Sequence, residues 1–440
     1  LYGLSFFAGL MWWSIELGWI ALIPLVMVLA LFPSGFGWWL AGHRESPPGV
    51  WFVFVVSLWS VMELIRYHFP FSGIEWGAAG YALSDLAVVR TASAYIGTSG
   101  WTVLLVALAA ALVLLATGYR QIWVWAMIAL PAVVTVVALG IDWVLPPSSP
   151  LPPVRATIVQ GSTPCPYEKC PPDERLRTYR LHLELMRTIE PGSTDLIVWA
   201  EGSSGSFNAD PVQNPEIGEA IGEEVERIGA WALVGTDRPL NDEHWINANV
   251  VFDEEGEIVG EYRKQQGVPF GEYIPFRPLF DWIPDLSQVP RDMIPGDGPV
   301  VFDADFGRFG SVISFEGSFA RYSREHVLAG ARLLVIATNE GSYGTTPASD
   351  QLIGITRMRA AELGVPVVHA AVTGKSVLID QSGEFVSEFT GLGSTALVSA
   401  AVEPGHLTFY AIVGDWLMYV AAASGLALIW RQRRLLISRE

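Results

Sequence analysis

Ser314 is the residue of this chain best placed to act as a nucleophile. It ends the apolar part of the run Gly-Arg-Phe-Gly-Ser-Val-Ile-Ser-Phe-Glu at positions 307–316. The pattern predicts a buried strand over 311–315, a sharp turn and a helix over 319–330. Enzymes often mount a nucleophile at such a turn, because the next backbone N–H groups point at the same spot. The simpler interpretation is a small residue that fills a tight turn.

Three other stretches place polar residues where a strand is predicted to end. Glu201 follows the apolar run 196–200, Lys264 ends a β-rich stretch with Glu272 eight residues later, and the polar run 339–344 follows another buried strand. A base, a cation and a nucleophile at three strand ends would be catalytic if those ends converged. The alternative for each carboxylate is a cap or half of an ion pair.

The elements that would position these residues form an α/β domain over 155–408, preceded by a stiff Pro-rich linker over 146–154. Short β-branched runs alternate with helical patterns there, which favours buried sheets in layers. Strands are predicted over 156–160, 196–200, 232–235, 250–253, 257–263, 311–315, 333–337, 365–371, 376–379 and 396–401. Helices are predicted over 173–189, 216–228, 319–330 and 350–363.

The rest of the chain is apolar, and the whole has 51% hydrophobic residues and a mean hydropathy of +0.36. Membrane spans of about 20 residues are expected in such segments. They are predicted over 4–16, 20–40, 51–65, 101–116, 122–141 and 410–430. We therefore expect a transmembrane region over 1–145 and a last span with a basic tail over 409–440. The first span is too short to cross, so we expect the region to be N-terminally incomplete.

Basic residues in three short segments indicate the orientation in the membrane. Segments 42–45, 119–121 and 431–434 carry them, and the positive-inside rule places all three in the cytoplasm. Counting spans then predicts that the loop 66–100 and the large domain lie on the outer face. The formal charge of −18 argues against nucleic-acid binding.

Cys165 and Cys170 are the only cysteines and share one short loop. On an outer face we expect a disulfide between them. The loop contains no His or Asp that would complete a metal site, and neither Cys ends a predicted strand. No metal site and no catalytic role are therefore predicted for them.

The order Glu201, Lys264, Ser314, each at a strand end, resembles the nitrilase superfamily. The membrane spans, Lys-x-x-x-Val-Pro-Phe-Gly-Glu-Tyr-x-Pro at 264–275 and Gly-Asp-Trp at 414–416 are more specifically similar to the apolipoprotein N-acyltransferase family. Glu-Leu-Ile-Arg at 63–66 and Phe-Ser-Gly-Ile-Glu-Trp at 71–76 add to that similarity. The resemblance covers nearly the whole chain.

The resemblance implies a nitrilase-like αββα sandwich inserted between transmembrane helices, on the outer face of the bacterial cytoplasmic membrane. It implies transfer of an acyl chain from a phospholipid, through a covalent acyl-enzyme and without a cofactor, to the N-terminal amine of a diacylated lipoprotein. In this family pattern Glu201 is the general base and Lys264 stabilises the oxyanion. Glu272 and Glu316 are supporting carboxylates, and Phe315 supplies a backbone N–H.

The sequence departs from that pattern at the nucleophile itself. The family has Cys where this chain has Ser314, and Asn-Asp-x-Trp-Phe-Gly where residues 339–344 read Asn-Glu-Gly-Ser-Tyr-Gly. A Trp of the family is also missing from 161–171. Three interpretations remain open: an engineered Cys→Ser trap, a homologue that has lost acyl transfer, and a serine that works as the nucleophile. The two further changes favour a divergent natural homologue.

Two other functions compete with acyl transfer. One is a catalytically inactive nitrilase-fold homologue that binds lipid or a partner protein, and the other is a membrane-tethered amidase. A transporter is disfavoured because few charges fall within the spans, Glu16 and Glu63 near span ends and Asp415 at the start of the last.

Overall fold

The computed structural model describes residues 1–145, 151–163, 172–205, 209–280 and 282–437. The chain forms two compact units, one of residues 1–147 and 408–440 and the other of residues 148–407. Residues 146–150 of the predicted linker lie outside the described residues, and a strand begins within the rest of it, at Val154. Cys165 and Cys170 also lie outside, so the disulfide stays a prediction.

The described part of the chain contains eleven α-helices. They are α1 (Tyr2–Leu10), α2 (Trp19–Ala41), α3 (Pro48–His68), α4 (Ala87–Ala116), α5 (Ile122–Val144), α6 (Pro172–Met186), α7 (Pro215–Ile228), α8 (Ala320–Leu328), α9 (Ala348–Leu363), α10 (Phe409–Val413) and α11 (Trp416–Ile437). By length and composition, α2, α3, α4 and α5 can each span a membrane. The apolar part of α11 covers Trp416–Leu428.

The predicted bounds of the loop 66–100 are wrong, because the connection between α3 and α4 covers only residues 69–86. Helix α3 continues to His68 and α4 already begins at Ala87, so the fourth predicted span is longer than 101–116. The stretch 87–100 is rich in Ala, Ser, Thr and Gly and was too polar to be recognised as part of a span. In the fold, Arg90 and Ser93 on this stretch are buried inside the unit rather than exposed.

Two of the predicted spans contain breaks. The predicted span 4–16 consists of α1 and a separate 3-10 helix over Trp12–Leu17. The predicted span 410–430 consists of α10 and α11, which Gly414 separates with a φ of 68°. Glycine adopts such a positive φ without the steric cost that a side chain would add.

The motifs at 63–66 and 71–76 pack together within the membrane unit. Arg66 pairs with Glu63 one turn earlier on α3, and both side chains are buried. The Arg66 Nη1 also donates 2.8 Å hydrogen bonds to the carbonyls of Ile74 and Trp76. Because a buried charge is stable only when paired and hydrogen-bonded, this arginine fixes the segment after α3 against the helix.

The second unit contains twelve strands in its described part. They are β1 (Val154–Gln160), β2 (Leu196–Trp199), β3 (Trp231–Pro239), β4 (His244–Phe252), β5 (Ile258–Arg263), β6 (Asp292–Met293), β7 (Val301–Ala304), β8 (Gly307–Ile313), β9 (Leu333–Thr338), β10 (Val367–Ala371), β11 (Val377–Ile379) and β12 (Ala396–Val402). Each of the ten predicted strands overlaps one of these, whereas β6 and β7 were not predicted.

The strands form two sheets. The first has the order β12-β1-β2-β3-β4-β5 with β6 paired to β4, and the second has the order β11-β10-β9-β8-β7. Strands β1, β2 and β3 run parallel, and so do β8, β9 and β10. Parallel strands buried on both faces read as continuous apolar runs, which explains sequences such as Leu-Leu-Val-Ile-Ala-Thr in β9.

The two sheets pack face to face through one apolar core. It joins residues of the first sheet, such as Ile158 and Val198, to residues of the second, such as Phe309 and Val335. Helices α6 and α7 cover the outer face of the first sheet through a second core around Trp199. Helices α8 and α9 pack on the strands of the second sheet. The αββα sandwich is thus confirmed.

Candidate active site

Lys264 lies at the centre of a buried charge cluster. It directly follows β5, its side chain is 1% exposed, and its Nζ donates to Glu201 Oε1 at 3.0 Å and to Glu272 Oε1 at 2.6 Å. Burial opposes its charge, but the attraction of Glu201 and Glu272 outweighs this and raises the pKa of Lys264 well above its ordinary value. The two carboxylates therefore favour the charged form of the lysine.

Glu201 follows β2 by two residues and accepts hydrogen bonds on both oxygens. Oε1 accepts from Lys264 and, at 2.7 Å, from Asn247 Nδ2 on β4, while Oε2 accepts from the backbone N–H of Asn339 at 2.8 Å. Gly235 on β3 permits this arrangement, since a Cβ there would lie 2.2 Å from the Ala200 carbonyl oxygen. The strand ends of both sheets therefore meet at this carboxylate.

Ser314 directly follows the last residue of β8. It is the first residue of a 3-10 helix over Ser314–Ser318, not the interior of the strand predicted over 311–315. Its φ of 52° is uncommon for a residue other than glycine and costs of order 1–3 kcal/mol, a strain that clusters at functional sites. The side chain is 8% exposed, and its Oγ accepts a hydrogen bond from Thr338 Oγ1 at 3.3 Å.

Glu316 joins the Ser314 turn to the segment after Lys264. It accepts from the Ile313 N–H at 2.7 Å, from the Tyr262 hydroxyl at 2.9 Å and from the backbone N–H groups of Gln265 and Gln266. Burial raises the pKa of Glu316 to about 7, although these backbone donors and Lys264 favour the ionised form. Its contacts make it a structural connection between the two strand ends.

The predicted residues are thus brought together to different degrees. Glu201, Lys264 and Glu272 are in direct contact, whereas within the described ranges Ser314 has no direct hydrogen bond to Glu201 or Lys264. Its hydroxyl reaches them through the consecutive residues Thr338 and Asn339 at the end of β9. Phe315 follows Ser314 in the first turn of the 3-10 helix, where N–H groups have no partner within the helix.

Sequence analysis missed Asn247, Thr338 and Tyr343. Asn247 is a buried amide on strand β4, which also carries His244 and buried Asn249, and polar residues in such a strand could have been noticed. Tyr343 is buried beyond β9, where burial first, and then Glu340 and Glu201, raise the pKa of its phenol. Thr338 carries no signal of its own, because its contact with Ser314 depends on strand register.

Comparison with known proteins identifies the class. Residues 155–411 match the family model described as carbon-nitrogen hydrolase, and residues 1–112 match the one described as apolipoprotein N-acyltransferase N-terminal domain. An apolipoprotein N-acyltransferase of Geobacter metallireducens is 28% identical over 98% of this chain and 86% of its own length. One of Nitrosomonas europaea is 27% identical over 93% of this chain and 80% of its own length.

A solved carbon-nitrogen hydrolase from Helicobacter pylori G27 is 17% identical with a TM-score of 0.44, covering 57% of this chain and 89% of that chain. Together with the sandwich, the family match over more than half of the chain defines a nitrilase-superfamily domain in a membrane protein. The chain belongs to the apolipoprotein N-acyltransferase family within that class, and is therefore an acyltransferase and a multi-pass bacterial membrane protein.

Proposed function

We propose that this protein transfers an acyl chain from a membrane phospholipid to the N-terminal amine of a diacylglyceryl-Cys lipoprotein. The observation that carries the proposal is the buried lysine between two carboxylates, joined to the strained Ser314 turn through the end of β9. Such a group can remove a proton from a nucleophile and stabilise an oxyanion. Its setting in a chain with several membrane-spanning helices favours lipid substrates.

In the first half-reaction Ser314 Oγ attacks the ester carbonyl carbon of the phospholipid, and Glu201 takes the hydroxyl proton. The carbonyl oxygen becomes an oxyanion, which Lys264 and the N–H of Phe315 stabilise. The intermediate collapses by breaking the bond to the glycerol oxygen, and Glu201 returns the proton to that leaving group. A lysophospholipid departs and the acyl chain remains as an ester on Ser314.

In the second half-reaction the amine nitrogen of the lipoprotein attacks the same carbonyl carbon. Glu201 accepts a proton from the nitrogen, and the same donors stabilise the second oxyanion. The bond to Ser314 Oγ then breaks, Oγ takes the proton back, and the product is an amide. A protonated amine cannot attack, because its nitrogen has no free lone pair. Glu201 therefore serves as the proton acceptor in both half-reactions.

Glu272 and Glu316 support these steps without reacting. Glu272 is the second carboxylate that contacts Lys264 Nζ, and its own Oε2 accepts a hydrogen bond from the Val268 N–H at 2.8 Å. Glu316 fixes the Ile313 N–H at the start of the turn and so keeps Ser314 in its strained conformation. We assign the domain to the outer, periplasmic face of the cytoplasmic membrane. The positive-inside rule places the three basic segments in the cytoplasm, and the domain is then on the other side of the membrane.

The test is acyl transfer from a radiolabelled phospholipid to a synthetic diacylated lipopeptide in mixed micelles. The wild-type chain, Ser314→Cys and Ser314→Ala are compared. We expect transfer by the wild type and by Ser314→Cys, and none by Ser314→Ala. Lipopeptide binding without transfer by any form would overturn the proposal in favour of a binding protein, and hydrolysis of a small amide instead would favour an amidase.

A further inference from the structure

Thr338 is the hydrogen-bond partner of Ser314 Oγ in the part of the chain that the structure describes. Its hydroxyl lies 3.3 Å from that atom, and its side chain is completely buried. The distance is longer than the optimum of about 2.7–2.8 Å between hydroxyls. Catalytic hydrogen bonds are often long before substrate binds and shorten in the complex.

Strand register places Thr338 at this point. Strands β8 and β9 are parallel neighbours, and their last recorded pair is Ile313 with Ala337. The residues that follow this pair are Ser314, just after β8, and Thr338, the last residue of β9. They therefore lie side by side at the same edge of the sheet. Thr338 is also fixed by the neighbouring strand β10, where its backbone pairs with Ala371.

We propose that Thr338 is a positioning residue that enables Ser314 to act as the nucleophile, an inference that rests on the proposed acyl transfer. A hydrogen bond donated by Thr338 occupies one lone pair of Oγ and leaves the Ser314 hydroxyl proton free to point toward a base. The β-branched side chain of Thr has few rotamers, which holds the donor in place.

The same hydrogen bond stabilises negative charge on Oγ. Such charge develops when the proton leaves before attack, and again when the acyl–Oγ bond breaks and Oγ becomes the leaving group. A hydroxyl needs this help more than a thiol, because a free Cys has a pKa near 8.5 and is readily present as thiolate. Thr338 therefore matters for Ser314 and should matter little for a cysteine at that position.

The experiment is burst kinetics with a p-nitrophenyl octanoate ester, in which the burst reports acylation and the later steady rate reports loss of the acyl chain. Thr338→Val keeps the shape and removes the hydroxyl, and Thr338→Ser keeps the hydroxyl. We expect Thr338→Val to slow the burst by about 10- to 100-fold, the effect of one hydrogen bond to a charged group. Thr338→Ser should remain within about threefold of the wild type, as expected if the hydroxyl is what matters.

A second pair of variants separates this role from a structural one. In the Ser314→Cys background, Thr338→Val should change the burst by less than about threefold, since the thiolate needs no such donor. Thr157→Val is the matched control, because Thr157 is a buried strand threonine whose hydroxyl contacts Thr194 and Ser399 instead. Its burst should equal that of the wild type.

The inference is overturned if Thr338→Val shows the wild-type burst, if it slows the serine and cysteine forms equally, or if the wild type shows no burst that depends on Ser314. A Thr338-dependent burst without transfer to a lipopeptide would leave the inference standing and refute the proposed acceptor. The two failures are therefore distinguishable.

Discussion

An ammonium group with almost no contact with water is stable only when opposite charges surround it. Lys264 meets this condition because Glu201 and Glu272 both contact its Nζ. The pair of carboxylates keeps the lysine charged, and the lysine in turn allows both carboxylates to remain close to each other. The charged state of each group therefore depends on its contact with the others, and removal of one group leaves the others without a partner of opposite charge.

Replacing Lys264 by Met tests that dependence. The variant leaves buried Glu201 and half-buried Glu272 without their cation, so we expect loss of about 3–5 kcal/mol of stability and at least a 100-fold fall in acyl transfer. Lys375→Met is the control, because the side chain of Lys375 is 28% exposed and pairs with exposed Asp350. Thermal unfolding and transfer assays measure both effects, and a Lys264→Met enzyme with wild-type transfer would contradict the assigned role.

His182 makes stability depend on pH. Its ring is fully buried beside Trp199, and burial lowers the pKa of His182 to about 4. Between the unfolded pKa of about 6.5 and pH 4 the unfolded chain binds a proton that the folded chain excludes, so stability falls as the pH falls. At pH 5 this costs about 2 kcal/mol.

The His182→Gln variant should therefore lose less stability than the wild type between pH 8 and pH 5, by that amount. His244→Gln, at a partly exposed ring, serves as the control and should follow the wild type. Unfolding midpoints in detergent at both pH values measure the difference. An unchanged pH dependence in His182→Gln would show that the buried imidazole is not the cause.

At the scale of the elements, apolar runs in the sequence located every long strand of the sandwich. They also located Glu201, Lys264 and Ser314, because polar residues that end such runs are conspicuous. Strand register and contacts between distant residues leave no comparable signal in the sequence. The contact between Thr338 and Ser314 is therefore visible only in the structure, where β8 and β9 pair. The predicted span for helix α4 was too short, because the first half of the helix is buried although its residues are not strongly hydrophobic.

Gly97 interrupts helix α4 with a φ of 65° and a ψ of 175°, a conformation available essentially to glycine alone. A Cβ at this position would lie 2.1 Å from the Tyr410 ring. We expect Gly97→Ala to destabilise the membrane unit by about 2 kcal/mol or more. Gly140→Ala on α5 should be neutral, because a Cβ there meets nothing within 4 Å. Equal unfolding midpoints for the two variants would contradict this account of the break.

At the scale of the whole molecule, the chain combines a unit of apolar helices with a sandwich domain that carries the candidate site. The proposed orientation predicts the activity of alkaline phosphatase fused at chosen positions. Fusion after Gln121, between α4 and α5, should give an inactive phosphatase, because the proposed orientation puts that end in the cytoplasm. Fusion after Leu145, at the end of α5, should give an active one. The reverse pattern would place the domain in the cytoplasm and exclude a periplasmic acceptor.

The most direct test of the central claim is to trap the acyl-enzyme. The purified protein is incubated with phospholipid in the absence of any acceptor amine, digested, and measured by mass spectrometry. We predict that the peptide containing Ser314 gains the mass of one fatty acyl chain, that Ser314→Ala gains none, and that added diacylated lipopeptide removes it. Acyl transfer that persists in Ser314→Ala would contradict the assignment of Ser314 as the nucleophile.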